Sequence, residues 1–280
     1  MDNKKVWFVT GASKGIGLLL VKKLVESGCK VAATSRTKDA LVKEIGKESS
    51  NFLPLELDLT DSRKVSNAID KTIVHFGNLD IVVNNAGYGQ LGTLEELSDK
   101  EARTNFDVNV FGSINVIRAA MPQLRKQKSG HILNLSSVAG ITGAFPGWGV
   151  YCASKFAVEG FSESLAAEVA PFGVKVTLIE PGYFRTDFLA GSLSLPENKM
   201  DEYEAVRESE DMHQNQISGN QPGDPQKAVT AIMKIVEEQN PPLHLFLGSD
   251  AYDMGHKKIK SLEKDLEAWK SLTLSTDFAD

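Results

Sequence analysis

Short apolar runs alternate with amphipathic stretches from the start of the chain to about residue 247. Several runs are nearly unbroken Val, Ile and Leu, which is typical of parallel strands covered on both faces. We predict seven strands, at residues 5–10, 30–34, 52–57, 79–83, 131–135, 174–179 and 243–247. Helical periodicity between them predicts helices at 15–27, 39–48, 61–76, 99–127, 150–170 and 225–238. The alternation indicates an α/β fold with right-handed crossovers, in which a doubly wound parallel sheet carries helices on both faces.

The periodicity weakens at about residues 186–222, where an acid-rich stretch is followed by Gln-Pro-Gly-Asp-Pro. Long insertions inside a compact domain are usually lids, binding segments or partly disordered loops, so we expect a substrate lid. After residue 250 the charged pattern predicts one surface helix. A chain of 280 residues with this organisation is expected to be a single domain, 1–280.

Composition excludes several classes of protein. Hydrophobic residues make up 41% and charged residues 24%, a globular balance, and the net charge of −6 argues against a nucleic-acid partner. No apolar run approaches the ~18 residues of a membrane span. The N-terminus turns polar too early for a secretory signal, and Cys29 and Cys152 cannot form a disulfide framework. We therefore expect a cytoplasmic protein without nucleic-acid or membrane partners.

A glycine-rich turn follows the first predicted strand and opens the first predicted helix. Gly11, Gly15 and Gly17 have the spacing Gly-x-x-x-Gly-x-Gly, and no Gly-Lys-Ser/Thr closes the turn as in a P-loop. Glycines at such a place let backbone N–H groups approach a pyrophosphate at a helix N-terminus. An ordinary strand–helix turn is the alternative interpretation.

Taken together, the motifs resemble those of the short-chain dehydrogenase/reductase family. They cover about the first 190 residues and the strand near Leu245, and comprise the turn at 10–17, Asp58-Leu59-Thr60, Asn84-Asn85-Ala86-Gly87, Asn109, Ser137, Tyr151-x-x-x-Lys155 and Pro181-Gly182. The segments Asn-Ala-Gly-Tyr-Gly and Glu-Pro-Gly-Tyr-Phe-Arg-Thr are similar to those of its hydroxysteroid-dehydrogenase-like carbonyl reductase branch. The resemblance implies a Rossmann-type fold.

The resemblance also implies four catalytic residues: Asn109, Ser137, Tyr151 and Lys155. Residues four apart share a helix face, so Tyr151 and Lys155 can point into one cleft, where the ammonium should lower the pKa of the phenol. Ser137 would bind the substrate carbonyl. Asn109, chosen over Asn105 and Asn115 by its Asn-x-x-Gly motif, would hold a water of a proton relay. A Tyr/Lys pair on an ordinary amphipathic helix is the alternative.

Basic residues after the second strand favour NADP(H) over NAD(H). Ser35-Arg36 stand where a carboxylate would bind the ribose of NAD. The Arg36 guanidinium can make a bidentate contact with a 2′-phosphate. Lys14 in the glycine turn could add to this, although both cations could instead be ordinary surface charges. The cofactor-binding residues implied are Gly11, Ser13, Lys14, Gly15, Ile16, Gly17, Ser35, Arg36, Asp58, Leu59, Asn85, Ala86, Gly87, Tyr151, Lys155, Pro181, Gly182 and Thr186.

We therefore expect an NADPH-dependent, reversible reductase of apolar ketones or aldehydes; a non-catalytic NADP(H)-binding sensor is the alternative. The predicted pocket wall is Phe145, Trp148, Tyr183, Phe184, Phe188, Leu189 and Leu193. No metal is expected, because His75, His131, His213, His244 and His256 are scattered and suit surface or packing positions.

Surplus apolar residues on two predicted helices suggest assembly. They are Phe106, Val110, Phe111 and Ile114 in 99–127, and Phe156, Phe161 and Leu165 in 150–170. The family commonly pairs these helices, so we expect a homodimer or homotetramer. The alternative is that all of this apolar surface is core.

Overall fold

A seven-stranded, all-parallel sheet forms the centre of the computed structural model, which describes residues 5–278. The strands are β1 (Val6–Val9), β2 (Lys30–Ser35), β3 (Phe52–Glu56), β4 (Ile81–Asn84), β5 (Gly89–Gln90), β6 (Gly130–Leu135), β7 (Val174–Pro181), β8 (Leu193–Ser194) and β9 (His244–Leu247). The main sheet has the order β3-β2-β1-β4-β6-β7-β9, and β5 pairs separately with β8. The order reverses between β1 and β4, which is where ligands bind in such sheets. All seven predicted main-sheet strands are confirmed.

Helices cover both faces of the sheet. They are α1 (Gly15–Glu26), α2 (Lys38–Glu44), α3 (Ser62–Phe76), α4 (Asp99–Phe106), α5 (Gly112–Gln127), α6 (Gly149–Val169), α7 (Phe188–Gly191), α8 (Glu204–Asp211), α9 (Pro225–Ile235), α10 (Ser249–Ala268) and α11 (Lys270–Leu274). The predicted helix at 99–127 is divided into α4 and α5 by a π-helical segment, Asp107–Phe111. Within residues 5–278, no helix has the length and apolar character needed to cross a membrane.

Successive residues of β1 contribute to two separate apolar cores. Phe8 packs in the core that also contains residues of α3, α5 and α6, whereas Trp7 and Val9 pack in the core that contains residues of α1 and α9. Because side chains alternate across a strand, a sheet buried on both faces needs apolar residues at consecutive positions. This explains the unbroken apolar runs from which the strands were predicted.

The insertion at 186–222 has more regular structure than its weak periodicity indicates. It contains α7, β8, α8 and a second π-helical segment, Met212–Ile217. Helix α8 buries only Val206, Ser209 and Glu210, so its inner face carries no apolar stripe for sequence analysis to detect. The predicted C-terminal surface helix corresponds to α10, which buries only Ala251 and Gly255.

Candidate active site

A cavity of about 660 Å³ lies along the carboxyl edge of the sheet. It extends from Ser35 and Arg36 after β2, past the glycine turn, to Ser137 after β6 and Tyr151 on α6. These elements meet there because parallel strands present all their carboxyl ends on one edge. One continuous cavity therefore joins the predicted cofactor and catalytic residues.

The glycine turn is shaped by contact with the end of β4. Gly11 has φ +64°, and a Cβ there would lie 2.7 Å from the Ala86 Cα. Asn85 Nδ2 donates to the carbonyls of Thr10 (2.8 Å) and Gly11 (2.9 Å), and a Cβ at Gly17 would lie 2.3 Å from that same nitrogen. Gly17 is thus required for packing rather than for lining the cavity.

The N-terminus of α1 opens into the cavity through Ser13, Lys14 and Ile16. Within residues 5–278 no side chain caps this helix end, and its first turn contains no acidic residue. Its free N–H groups and positive dipole end therefore suit a phosphate-bearing ligand. The Lys14 ammonium donates to the carbonyl of Gly191 in α7, so Lys14 links the turn to the insertion, a contact that sequence analysis did not anticipate.

Arg36 and Asp58 mark the far end of the cavity, together with Ser35 and Leu59. The Asp58 carboxylate accepts hydrogen bonds from the Thr60 backbone N–H (3.0 Å) and hydroxyl (2.8 Å). These bonds hold the pKa of Asp58 below its ordinary value, with smaller contributions from Lys64 and Arg36. Asp58 is therefore charged at neutral pH and can accept further hydrogen bonds from a ligand.

Tyr151 and Lys155 occupy one face of α6 and both line the cavity. The Lys155 ammonium donates to the Leu135 carbonyl at the end of β6 (2.8 Å). Ser137 lines the same region; its Oγ accepts a hydrogen bond from the Ala139 N–H (3.1 Å), and its hydroxyl donates to Tyr151. The geometry brings together three of the four predicted catalytic residues.

Burial dominates the titration of this pair. It raises the pKa of Tyr151 well above its ordinary value, although a hydrogen bond from Ser137 acts in the opposite direction. Burial also lowers the pKa of Lys155 to about 8, an effect that Glu159 opposes when it is ionised. Desolvation of the phenolate dominates in the protein alone, so a lowering of the Tyr151 pKa by Lys155 stays a prediction.

Asn109 lies behind the cavity wall, in the π-helical segment. Its Oδ1 accepts from the Tyr88 N–H (3.0 Å), and its Nδ2 donates to the Tyr88 carbonyl (3.0 Å) and the Ser154 hydroxyl (3.1 Å). The π-helical segment interrupts the continuous helix predicted over 99–127. The Asn109 side chain fixes the chain after β4 against α6 and does not line the cavity, so its part in a proton relay stays a prediction.

The end of β7 and the loop that follows contribute Pro181 and Gly182 to the wall. Asp250 of α10 accepts a hydrogen bond from the Tyr183 N–H (2.6 Å), and a Cβ at Gly182 would lie 2.3 Å from that carboxylate. Thr186 lies beside Gly15 outside the wall, where its Oγ1 accepts from the Phe188 N–H (3.4 Å). Asp250 holds this loop in place through its hydrogen bond with Tyr183. Sequence analysis missed it because the two residues are 67 positions apart.

An apolar wall surrounds the Tyr151 hydroxyl end of the cavity. All seven predicted wall residues line it. The Tyr151 ring centre is 5.6 Å from that of Trp148 and 6.0 Å from that of Phe188. Residues from the insertion thus form one side of the pocket; that the insertion acts as a lid stays a prediction.

Two polar residues on this wall were not predicted. His213, expected to be a surface or packing residue, is 3% exposed and lines the cavity, as does Gln221, which is 2% exposed. Both lie in the insertion, where no periodicity indicated which side chains face inward. Only tertiary packing identifies them.

A second group missed from the sequence comprises Glu159, Glu180 and His244, from α6, β7 and β9. Their ligand-type atoms lie within 4.8 Å of one another. Burial raises the pKa of Glu159 to about 8 and that of Glu180 to about 7. His244 Nδ1 lies 2.7 Å from Glu180 Oε1, so the group forms a buried acid pair beside an imidazole.

Comparison with known proteins identifies relatives over nearly the whole chain. Oxidoreductase BOA17 of Botryotinia fuckeliana is 37% identical over 275 residues, covering 97% of this chain and 99% of that protein. A 3-ketodihydrosphingosine reductase of Bacteroides thetaiotaomicron is 37% identical over 247 residues, covering 87% and 88%. Human 17-beta-hydroxysteroid dehydrogenase type 1 is 39% identical over 207 residues, covering 71% and 62%.

Solved structures share the fold. A short-chain dehydrogenase from Streptomyces avermitilis has a TM-score of 0.90 and 37% identity, covering 99% of this chain and 100% of that one. ElxO with NADP bound has a TM-score of 0.73 and 26% identity, covering 89% and 99%. The short chain dehydrogenase family matches residues 5–194. With this match and these relatives, the chain belongs to the short-chain dehydrogenase family and is an oxidoreductase acting on CH–OH or C=O groups.

Proposed function

We propose that the protein is an NADPH-dependent reductase that converts apolar ketones or aldehydes to alcohols, reversibly. The observation that carries the proposal is the continuous cavity, which has Ser137, Tyr151 and Lys155 at one end and Arg36 at the other. The first group suits carbonyl reduction, and the second suits the 2′-phosphate of NADP(H).

The cavity fits NADP(H) in shape and charge. Gly11 leaves no room for a side chain beside Ala86, and the uncapped N-terminus of α1 offers N–H groups to a diphosphate. Arg36 occupies the place where a carboxylate would bind the ribose of NAD and would repel the 2′-phosphate of NADP(H). Arg36 can instead bind that phosphate, and Ser35 adds a hydroxyl donor. The NADP-bound ElxO structure supports this choice of cofactor.

When bound, NADPH supplies a hydride to the carbonyl carbon. With substrate bound, the Ser137 hydroxyl would donate to the carbonyl oxygen and stabilise the negative charge that develops there. Tyr151, which keeps its proton at neutral pH because burial raises its pKa, would transfer that proton to the same oxygen and give the alcohol. The Lys155 ammonium would stabilise the phenolate that remains.

An apolar substrate is supported by the pocket wall and by the charge of the insertion. The wall around Tyr151 is aromatic and aliphatic. Exposed acids in the insertion, which would repel keto acids, are Asp201, Glu202, Glu204, Glu208 and Asp211. Two relatives are named for a 3-ketodihydrosphingosine and a 17-beta-hydroxysteroid.

NADPH oxidation, followed by absorbance with a panel of carbonyl compounds, tests the proposal. Along a series of methyl ketones, each added CH₂ should stabilise the bound transition state by up to ~0.8 kcal/mol. The value of kcat/KM should therefore rise along the series until the pocket is full. Small keto acids should be reduced more slowly than any medium-length ketone. A flat series or a preference for keto acids contradicts the apolar pocket, and NADPH binding without any oxidation would favour the sensor alternative.

We also propose a symmetric homo-oligomer. Phe111 and Phe156 are 53% and 41% exposed, beside the helices that were expected to pair. The other residues in that prediction contribute less, since Val110 and Leu165 are buried and Phe106, Ile114 and Phe161 are half-buried. Two exposed phenylalanines favour burial against a second copy of the chain.

A further inference from the structure

The apolar substrate pocket has a polar region, formed by Tyr183, His213 and Gln221. All three line the cavity. The Trp148 ring contacts both this region and Tyr151, since its centre is 4.8 Å from that of His213 and 5.6 Å from that of Tyr151. The polar region therefore lies in the same part of the cavity as Tyr151.

Hydrogen bonds fix the direction in which His213 and Tyr183 can interact. His213 Nδ1 lies 2.6 Å from the Ser209 carbonyl, which only accepts, so Nδ1 carries the hydrogen. Burial lowers the pKa of His213, so the ring is neutral and Nε2 is an acceptor. The Tyr183 hydroxyl, 2.9 Å from Nε2, must therefore donate to it. The Tyr183 oxygen keeps its lone pairs as an acceptor for a ligand.

Gln221 has a buried amide without a partner. Its side chain is 2% exposed, and neither Oε1 nor Nε2 has a hydrogen-bond partner among the described residues. Its backbone is held in place, since its carbonyl accepts from the Arg185 guanidinium (3.0 Å). A buried, unpaired amide is costly, and this one faces a ligand cavity. A ligand group that both donates and accepts would satisfy it.

We infer that Tyr183, His213 and Gln221 form a second polar subsite, which binds a neutral hydroxyl on the substrate at a distance from the reacting carbonyl. This inference rests on the proposed function. A hydroxyl can donate to Tyr183 or to Gln221 Oε1 and accept from Gln221 Nε2. A carboxylate would face the lone pairs of Tyr183 and Gln221 Oε1 with no cation among the three residues. The preferred substrates are therefore apolar hydroxyketones.

Matched pairs of rigid ketones test the subsite. The probes are cyclohexanone and cyclohexylcyclohexanone, each with and without a hydroxyl on the ring carbon farthest from the carbonyl. For the unsubstituted protein, kcat/KM should favour the hydroxylated compound by at least about tenfold at one of the two lengths, as expected for a site built to bind a hydroxyl. In Gln221→Met and in Tyr183→Phe the ratio should fall to within about twofold of one, mainly through KM.

Gln216→Leu is the matched control, because Gln216 is an exposed glutamine of the same segment; it should keep the full ratio. Calorimetric binding of the corresponding alcohols to the NADP⁺ complex gives the same comparison without turnover. If no ketone is reduced but the hydroxyl preference in binding persists, the proposed function fails and the subsite stands. Equal values for both members of both pairs overturn the subsite. The subsite is also overturned if Gln221→Met binds NADPH more weakly but keeps the kcat/KM ratio of the hydroxylated to the unhydroxylated ketone. That result would assign Gln221 to the cofactor.

Discussion

The Lys155 ammonium lies 5.8 Å from the centre of the Tyr151 ring, one helical turn further along α6. Both side chains are buried, and Lys155 is also fixed by its hydrogen bond to the Leu135 carbonyl. The lysine can therefore act on the tyrosine through its charge without a direct hydrogen bond. Because it also lines the cavity, we expect its removal to affect cofactor binding as well as turnover.

Tyr151→Phe removes the proposed proton donor and should lower kcat by about 10²–10⁴-fold, the usual contribution of a general acid. NADPH affinity should be nearly unchanged, whereas Lys155→Ala should weaken both kcat and NADPH affinity. Steady-state kinetics and fluorescence titration of NADPH measure the two effects. Tyr252→Phe, at a tyrosine 62% exposed on α10, is the control. If Tyr151→Phe retains more than about a tenth of kcat, Tyr151 is not the general acid.

Arg36 should make the protein selective for NADPH. A charge-assisted contact with the 2′-phosphate contributes about 1.5–3 kcal/mol, so NADPH should bind at least about tenfold more tightly than NADH. Ser35→Asp combined with Arg36→Val should reduce or invert the ratio of the two dissociation constants. Lys14→Ala should have a smaller effect, because the Lys14 ammonium contacts Gly191. Equal affinities for the two cofactors in the unsubstituted protein would contradict this assignment.

The sequence was sufficient to predict the main sheet and most of the residues that line the candidate cavity, for a physical reason. Strands buried on both faces need consecutive apolar residues, and Tyr151 and Lys155 are close in sequence, so their shared helix face follows from spacing alone. Gln221 and the group around Glu159 could not be predicted in this way. Their environments are formed by elements far apart in the chain, and the inner face of α8 carries Ser209 and Glu210 in place of an apolar stripe.

The buried pair Glu159 and Glu180 should make stability fall as pH rises. Their ordinary pKa is 4.5, and burial raises it to about 8 and about 7 in the folded protein. At pH values between the ordinary and the raised pKa, the unfolded chain has released protons that the folded protein retains. Rising pH therefore lowers the free energy of unfolding, by up to about 1.4 kcal/mol per pH unit for each carboxyl. Above about pH 8 this loss should level off. Urea unfolding at several pH values measures it.

Glu159→Gln should flatten this dependence, because it removes one of the two titrating groups. Glu168→Gln is the control, since Glu168 is an exposed carboxylate near the end of α6. It should leave the slope of unfolding free energy against pH unchanged. Stability that rises across the same pH range in the unsubstituted protein would show that the two carboxyls are ionised in the fold.

Light scattering at micromolar concentration should give the mass of a dimer or tetramer. Phe111→Glu combined with Phe156→Glu should shift the protein toward the monomer, because charges on these exposed rings would oppose burial against a second copy. Val74→Glu is the control, at an apolar residue of α3 that is 86% exposed outside the two helices concerned. A monomeric mass for the unsubstituted protein would count against assembly through α5 and α6.

Arg207 should hold the insertion against the rest of the protein. Its guanidinium lies 2.7 Å from Glu96, whose side chain is fully buried, and 3.2 Å from Glu210. Burial alone would raise the pKa of Glu96, but hydrogen bonds from the Thr93 and Met200 N–H groups and the charge of Arg207 hold it below its ordinary value. Glu96 is therefore a buried carboxylate that binds two points of the insertion.

Arg207→Met would leave Glu96 charged and without its cation, a change that costs about 3–5 kcal/mol for a buried pair. If about 1.4 kcal/mol of this cost destabilises the closed position of the insertion, the fraction of molecules with an open insertion rises tenfold. Proteolysis near residues 200–212 should then accelerate in proportion. Lys199→Met is the control, because Lys199 pairs with Glu210 at a side chain that is 40% exposed, and it should have a smaller effect. In the unsubstituted protein, NADPH with a product alcohol should slow the cleavage, since the insertion supplies part of the pocket wall. Cleavage that is insensitive both to Arg207→Met and to these ligands would show that the insertion is a fixed wall and does not open.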